Sequence, residues 1–120
     1  MSGQRGNQRG YARTARVNEV LRQVLAESLE RMEELDERLG MLTITAVQCD
    51  PDLRHATVLF SSLTEPAIQA LEEHRVALQA EIGRGGRMKR TPTLRFLPDP
   101  AIAAGARVED AIRRIHRDEP

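Results

Sequence analysis

The stretch MLTITAVQCDPDLRHATVLFSS, residues 41–62, decides the fold. Its first half is rich in β-branched residues, Thr43, Ile44, Thr45 and Val47, which suit a pleated, half-buried surface. Apolar positions run 42 and 44, then 47 and 49. The alternation slips by one residue near Ala46, which predicts a β-bulge there. Asp50, Pro51 and Asp52 supply a turn, because aspartate accepts from nearby backbone N–H groups and proline pre-sets φ near −65°. From Arg54 to Ser62 the alternation is regular, with Ala56, Val58 and Phe60 on one face. Two strands joined by so short a connection pair as an antiparallel hairpin.

A hairpin with one apolar face needs a cover, and the flanking sequence provides it. Upstream, Val17, Val20, Leu21, Val24, Leu25, Ser28, Leu29, Met32 and Leu35 recur at spacings of three and four, the signature of an amphipathic helix. Thr14 is its expected N-cap, Glu27 and Arg31 an expected i,i+4 pair, and Gly40 its expected stop. Downstream, Thr64, Glu65 and Pro66 open another helix, with Ile68, Leu71, Arg75, Leu78 and Ile82 inward. Gly83, Gly85 and Gly86 weaken or end it, and Pro92 bars any helix beyond about Arg90. Thr93 to Leu97 reads as a third strand, and residues 108–116 as a last amphipathic helix. The order is α-β-β, then one helix or two, then β and a short last helix; read with two central helices, α-β-β-α-α-β, it predicts an α+β, two-layer domain with a three-stranded sheet and helices on one face, the order used by K-homology domains of the second type. Residues 1–12 read as a flexible basic arm, 13–117 as the domain and 118–120 as a tail.

A chain of 120 residues is one domain by length and can bury a core without disulfides or metal. No apolar run approaches the ~20 residues of a membrane span, and Cys49 is the single cysteine, so the expected setting is the cytoplasm. Net charge is zero, but it is segregated. Arg5, Arg9, Arg13 and Arg16 open the chain without an acid. Seven acids between Glu19 and Glu37 then face only Arg22 and Arg31, and Arg84, Arg87, Lys89, Arg90 and Arg95 follow later with no acid among them. Local fields of this kind matter more to a polyanion than the total does.

Chemistry for catalysis is missing from the pattern. His55, His74 and His116 fall in different elements without metal-ligand spacing, and Asp50 and Asp52 are explained by their turn. Cys49 sits on the apolar side of a strand and reads as an inert thiol. No enzyme, cofactor or metal is expected. For RNA the candidate contacts are Arg13 and Arg16 on the first helix, and Arg84, Arg87, Lys89, Arg90 and Arg95 near the third strand. Gly83-Arg84-Gly85-Gly86 spells the Gly-x-x-Gly of K-homology loops, but only six residues separate it from Thr93, too few for the helix that should follow; chance explains it better. Tyr11, Phe60 and Phe96 are the only aromatics, two of them at core positions, so RNA would be held by phosphate contacts and shape rather than by stacking on aromatic rings. The competing reading is a protein-interaction module that docks through the long helix or a sheet edge, with RNA contact incidental.

From about Arg13 to Ile112 the chain resembles bacterial ribosome-binding factor A. The resemblance rests on Arg13 with Arg16 and Val17, on Arg38-Leu39-Gly40, and on Thr43 to Val47. The turn from Pro51 to Ala56, Val58, the set Pro92, Leu94, Phe96 and Asp99, and finally Ile102, Gly105 and Val108 complete it. It implies a K-homology fold of the second type and a non-catalytic, monomeric role on the small (30S) ribosomal subunit. There it implies contact with 16S rRNA, with ribosomal proteins as further contacts, help in late maturation and 5′-end processing, and a link to growth in the cold. The family's Ala-x-Gly kink between the two central helices falls on His74, Arg75 and Val76, which lack both Ala and Gly. The bend is therefore made by something else, or the helix runs straighter.

Overall fold

The computed structural model describes residues 2–86, 88 and 90–102, residues 2–12 by their backbone. The helix expected over residues 108–116 and the tail lie outside the described residues. Strands β1 (Ile44–Cys49) and β2 (His55–Phe60) form the antiparallel hairpin, with Val47 opposite Val58 and Cys49 opposite Ala56. The register shifts between Ile44 and Ala46, which is the bulge expected from the slipped alternation. Thr45, left out of the ladder, puts its hydroxyl on the Asp99 carboxylate at 2.6 Å, while the Asp99 N–H donates to the Phe60 carbonyl at 2.8 Å. The bulge thus ties β1 to the segment beyond the third strand.

Strand β3 (Thr93–Pro98) pairs parallel with β2, His55 opposite Thr93 through Phe60 opposite Pro98, so the sheet is mixed in the order β1-β2-β3. A parallel neighbour requires a crossover. Two helices make it, α2 (Glu65–Glu73), N-capped by the Thr64 hydroxyl accepting from the Ala67 N–H, and α3 (Arg75–Gly85). The long helix, α1 (Ser2–Glu33), lies on the same face and buries Leu21, Leu25 and Leu29. Each such leucine contributes roughly 1.5–3 kcal/mol of apolar burial. Phe60, Leu71, Leu78, Ile82 and Leu94 complete the core. Gly85 ends α3 against α1: a Cβ there would lie 3.1 Å from Val24 Cγ2, so glycine permits the close approach. The Asn18 side-chain oxygen of α1 accepts the Cys49 N–H at 2.8 Å, giving edge strand β1 a partner.

Three expectations change. First, α1 starts at Ser2, which puts Thr14 inside the helix rather than at its cap. No proline precedes Pro51, and the glutamines and arginines among the early glycines are good helix formers. Second, α1 ends at Glu33, not at Gly40. Asp36 accepts the Arg38 N–H and starts a separate 3-10 turn (Glu37–Leu39), so Leu35, in phase with the helical pattern, is left 90% exposed. Third, Arg31 pairs not with Glu27 but with Glu81 of α3, at 3.2 Å, a tertiary contact that outcompetes the local one.

Candidate nucleic-acid interface

The backbone between α2 and α3 breaks at a single residue, His74 (φ −94°, ψ 3°), at the position of the expected kink. Neither alanine nor glycine makes the break. The His74 Nε2–H donates to Asp36 Oδ2 at 3.0 Å, and the same carboxylate receives Arg38 Nε and Nη2. Arg38 also reaches Glu73, the last residue of α2, at 2.5 Å. The arginine, then the histidine, hold the Asp36 carboxyl far below the usual carboxylate range, and Asp36 and Glu73 in turn raise the Arg38 guanidinium. A four-residue ionic cluster therefore pins the bend to the 3-10 turn. Arg75, just past the bend, lays its guanidinium 5.7 Å from the centre of the Phe96 ring and pairs with Glu72; Val76 is exposed.

The cationic residues divide sharply by partner. Arg22, Arg31, Arg38, Arg75 and Arg84 each hold a carboxylate. Arg84, expected to be available to phosphate, is thus engaged by Glu81 one helical turn earlier, and Gly83 and Gly85 lie in the last turn of α3 rather than in a loop between helices. Among the described residues Arg13, Arg16, Arg54, Arg90 and Arg95 have no acidic partner, and all five are exposed. Arg87 and Lys89 lie outside the described residues.

Four of those five converge. Arg16 lines a recess with Val17, Val20, Leu21, Gly86 and Met88. Val17, Gly86 and Met88 continue into an open cleft of about 570 Å³ whose other walls are Leu53, Arg54, Asp52 and Arg90. Arg13 stands one turn before Arg16 on α1. Three distant segments therefore meet here: the first half of α1, the β1–β2 turn, and the chain leading into β3. Arg95 is separate, on the sheet face away from the helices, since its neighbour Leu94 points into the core. Arg54 and the apolar residues between the arginines were not singled out by the sequence; Arg54 reads there only as a turn residue. Its backbone N–H donates to Asp52 Oδ1 at 3.0 Å, which occupies one oxygen of the lone acid in the cleft.

At the other end of α1 the surface is acidic: a groove lined by Ala26, Leu29, Glu30, Glu33, Leu39, Leu42 and Ile44, beside the exposed Leu35 and Met41. The two phenylalanines are used in packing, Phe60 fully buried and the Phe96 ring 6.3 Å from it. Cys49 is 8% exposed, and burial, then the nearby Asp50, pushes its thiol up from the usual range. Among the described residues no cluster of His, Cys, Asp and Glu is placed to hold a metal ion, and no helix is long and apolar enough to cross a membrane.

Known proteins resemble this chain in sequence and fold. A profile of the family "Ribosome-binding factor A" matches residues 13–112. The ribosome-binding factor A of Azoarcus sp. (strain BH72) is 38% identical over 91% of this chain and 95% of its own length, and that of Rubrobacter xylanophilus is 34% identical over 90% and 91%. The crystal structure of ribosome-binding factor A from Thermus thermophilus superposes with a TM-score of 0.65 at 34% identity, covering 71% of this chain and 93% of that one. A homology model of the Thermus thermophilus factor, fitted into the cryo-EM map of its 30S complex, gives a TM-score of 0.57 at 36% identity, covering 68% and 89%.

Proposed function

The chain belongs to the ribosome-binding factor A family, and from that premise we propose that it binds the small ribosomal subunit by laying its arginine-rimmed end on phosphates of 16S rRNA. One observation carries this reading: Arg16 and the pair Arg54 and Arg90 line two adjoining recesses at one end of the fold, with Arg13 one turn before Arg16 on α1, and none of the four has an acidic partner among the described residues, while the acids of the α1 C-terminal half crowd the other end. An anion meeting these arginines displaces no internal salt bridge, so each guanidinium is available for a charge-assisted contact with phosphate. Arg87 and Lys89, beside Arg90 in the sequence, add basic charge to that stretch, and residues 13–117 act as the folded unit. Arg84 and Arg95 play smaller parts, the first because Glu81 already holds it and the second because it stands on another face.

The role is that of a non-catalytic, monomeric, cytoplasmic assembly factor: it holds the rRNA in a near-mature arrangement late in maturation and so assists formation of the 5′ end, a step whose importance grows in the cold. The relative fitted into a 30S map supports the target, and the separation of charge supports the contact surface. Sedimentation with immature and mature small subunits from a deletion strain tests it. The expected result is preferential association with immature particles, with precursor 16S rRNA accumulating in the strain; equal binding to both and no precursor would overturn the assembly role.

A second reading has its own observation. The acidic groove at the other end, with Leu35 and Met41 exposed beside it, suits a basic segment of a ribosomal protein. The two contacts are compatible, and binding that ignores salt but falls when Leu35 and Met41 are changed would make the protein contact the dominant one.

A further inference from the structure

We infer that the cleft at the basic end takes one unstacked nucleotide of the RNA, its base on the apolar floor and its phosphate among Arg16, Arg54 and Arg90; this deepens the proposed function and rests on it. The floor is Val17, Leu53 and Met88, with Val20 42% exposed in the adjoining recess. A cleft of about 570 Å³ falls within the range of small-ligand sites. An apolar floor with Arg54 and Arg90 on its walls, Arg16 in the adjoining recess and Asp52 as its one acid fits a body that is flat and weakly polar yet carries an anion at its edge. A base with its phosphate is such a body. A base inside a duplex shows only its edges, so the nucleotide must be unpaired, in a bulge, loop or end.

Leu53 supplies an independent observation. It sits at φ 60°, a left-handed conformation that glycine or asparagine adopts far more readily than leucine. The turn holds it there, its N–H donating to the Asp50 carbonyl at 2.9 Å, and its side chain goes to the edge of the core and the cleft floor. Packing against the core offsets the cost of this backbone and leaves the same side chain in the cleft wall. Gly86 and Met88 form the opposite wall, and glycine is required at this cap of α3, because a Cβ there would lie 2.9 Å from the Ile82 carbonyl oxygen. This cleft is distinct from the His74 bend, which contacts the 3-10 turn beyond the far end of α1.

The test uses the full chain and three RNA hairpins of equal length: one fully paired, one with a single 2-aminopurine bulge, and one with an abasic bulge. The bulged hairpin should bind about tenfold tighter than the paired one, with a change in 2-aminopurine fluorescence, and the abasic hairpin should lose that preference. Leu53→Gly removes the floor while easing the left-handed turn, so folding is spared; it should bring the bulged-to-paired ratio close to one, as should Met88→Ala. Equal binding of all three hairpins overturns the nucleotide cleft and leaves the rRNA reading standing. So does a preference that survives both substitutions. Binding of no hairpin, with a Glu-rich peptide captured at the cleft instead, overturns both readings and assigns the surface to protein.

Discussion

Replacing Arg54 with alanine isolates one phosphate contact, because its guanidinium has no acidic partner among the described residues and the substitution disturbs no ion pair. With Arg13, Arg16, Arg54 and Arg90 engaged, the logarithm of affinity falls with the logarithm of salt at a slope of about −3.6, so raising salt from ~50 to ~200 mM costs about 150-fold. Arg54→Ala flattens the slope to about −2.7 and leaves about a 40-fold loss over the same range. The turn survives, since the bond to Asp52 comes from the Arg54 backbone. Filter binding of the purified protein to isolated small subunits across a salt series measures the slope. Arg31→Ala is the control: its guanidinium is held by Glu81, and its slope should match the wild type. An Arg54→Ala slope equal to the wild-type value, or an Arg31→Ala slope that flattens as much, would refute the division into available and engaged arginines.

Three further outcomes follow from the fold. Leu78→Ala, at a fully buried core position on α3, should lower stability by about 2–5 kcal/mol, seen as a fall in the urea midpoint at unchanged m. Because Asp36 is held below its ordinary value of 3.8 in the folded chain, its contribution is present above that pH and is lost as the pH falls through about 4 toward the lower folded value. The melting temperature of Asp36→Asn should therefore lie below wild type near neutrality and converge on it in acid, and a constant gap would contradict the cluster's role. Cys49, buried with its thiol pushed up, should react with a disulfide reagent only at the rate of unfolding; a fast reaction in the native protein would contradict its placement.

What was legible in the sequence was local. The hairpin and even its bulge could be placed because side chains alternate with a period of two and the slip at Ala46 breaks that period. Thr64 declared itself as a cap, and the three glycines ended α3. The end of α1 was misjudged because Leu35 keeps the helical phase, while what stops the helix is a competition that periodicity does not record: Asp36 capturing the Arg38 N–H. The bend showed only as a departure at His74, Arg75 and Val76. Its maker, Asp36, is 38 residues away and could not be read from a window. The candidate site followed the same division. Charge along the chain marks Arg13, Arg16 and Arg90, which the fold leaves without acidic partners among the described residues. Charge marks Arg84 equally, and the pair it makes with Glu81, three residues before it, shows only in the structure. Arg54 does not stand out in the sequence because the hairpin accounts for its neighbourhood, and only the tertiary meeting of Val17, Leu53 and Met88 shows what it stands beside.

The most direct test of the central claim reverses charge at each end of the molecule in turn and follows sedimentation with small ribosomal subunits. Changing Arg13, Arg16, Arg54 and Arg90 together to glutamate should abolish co-sedimentation while circular dichroism and melting stay native, and changing Glu30, Glu33 and Glu34 to lysine should leave it intact. Particles that still carry the arginine-reversed protein, but release the acid-reversed one, would contradict the account.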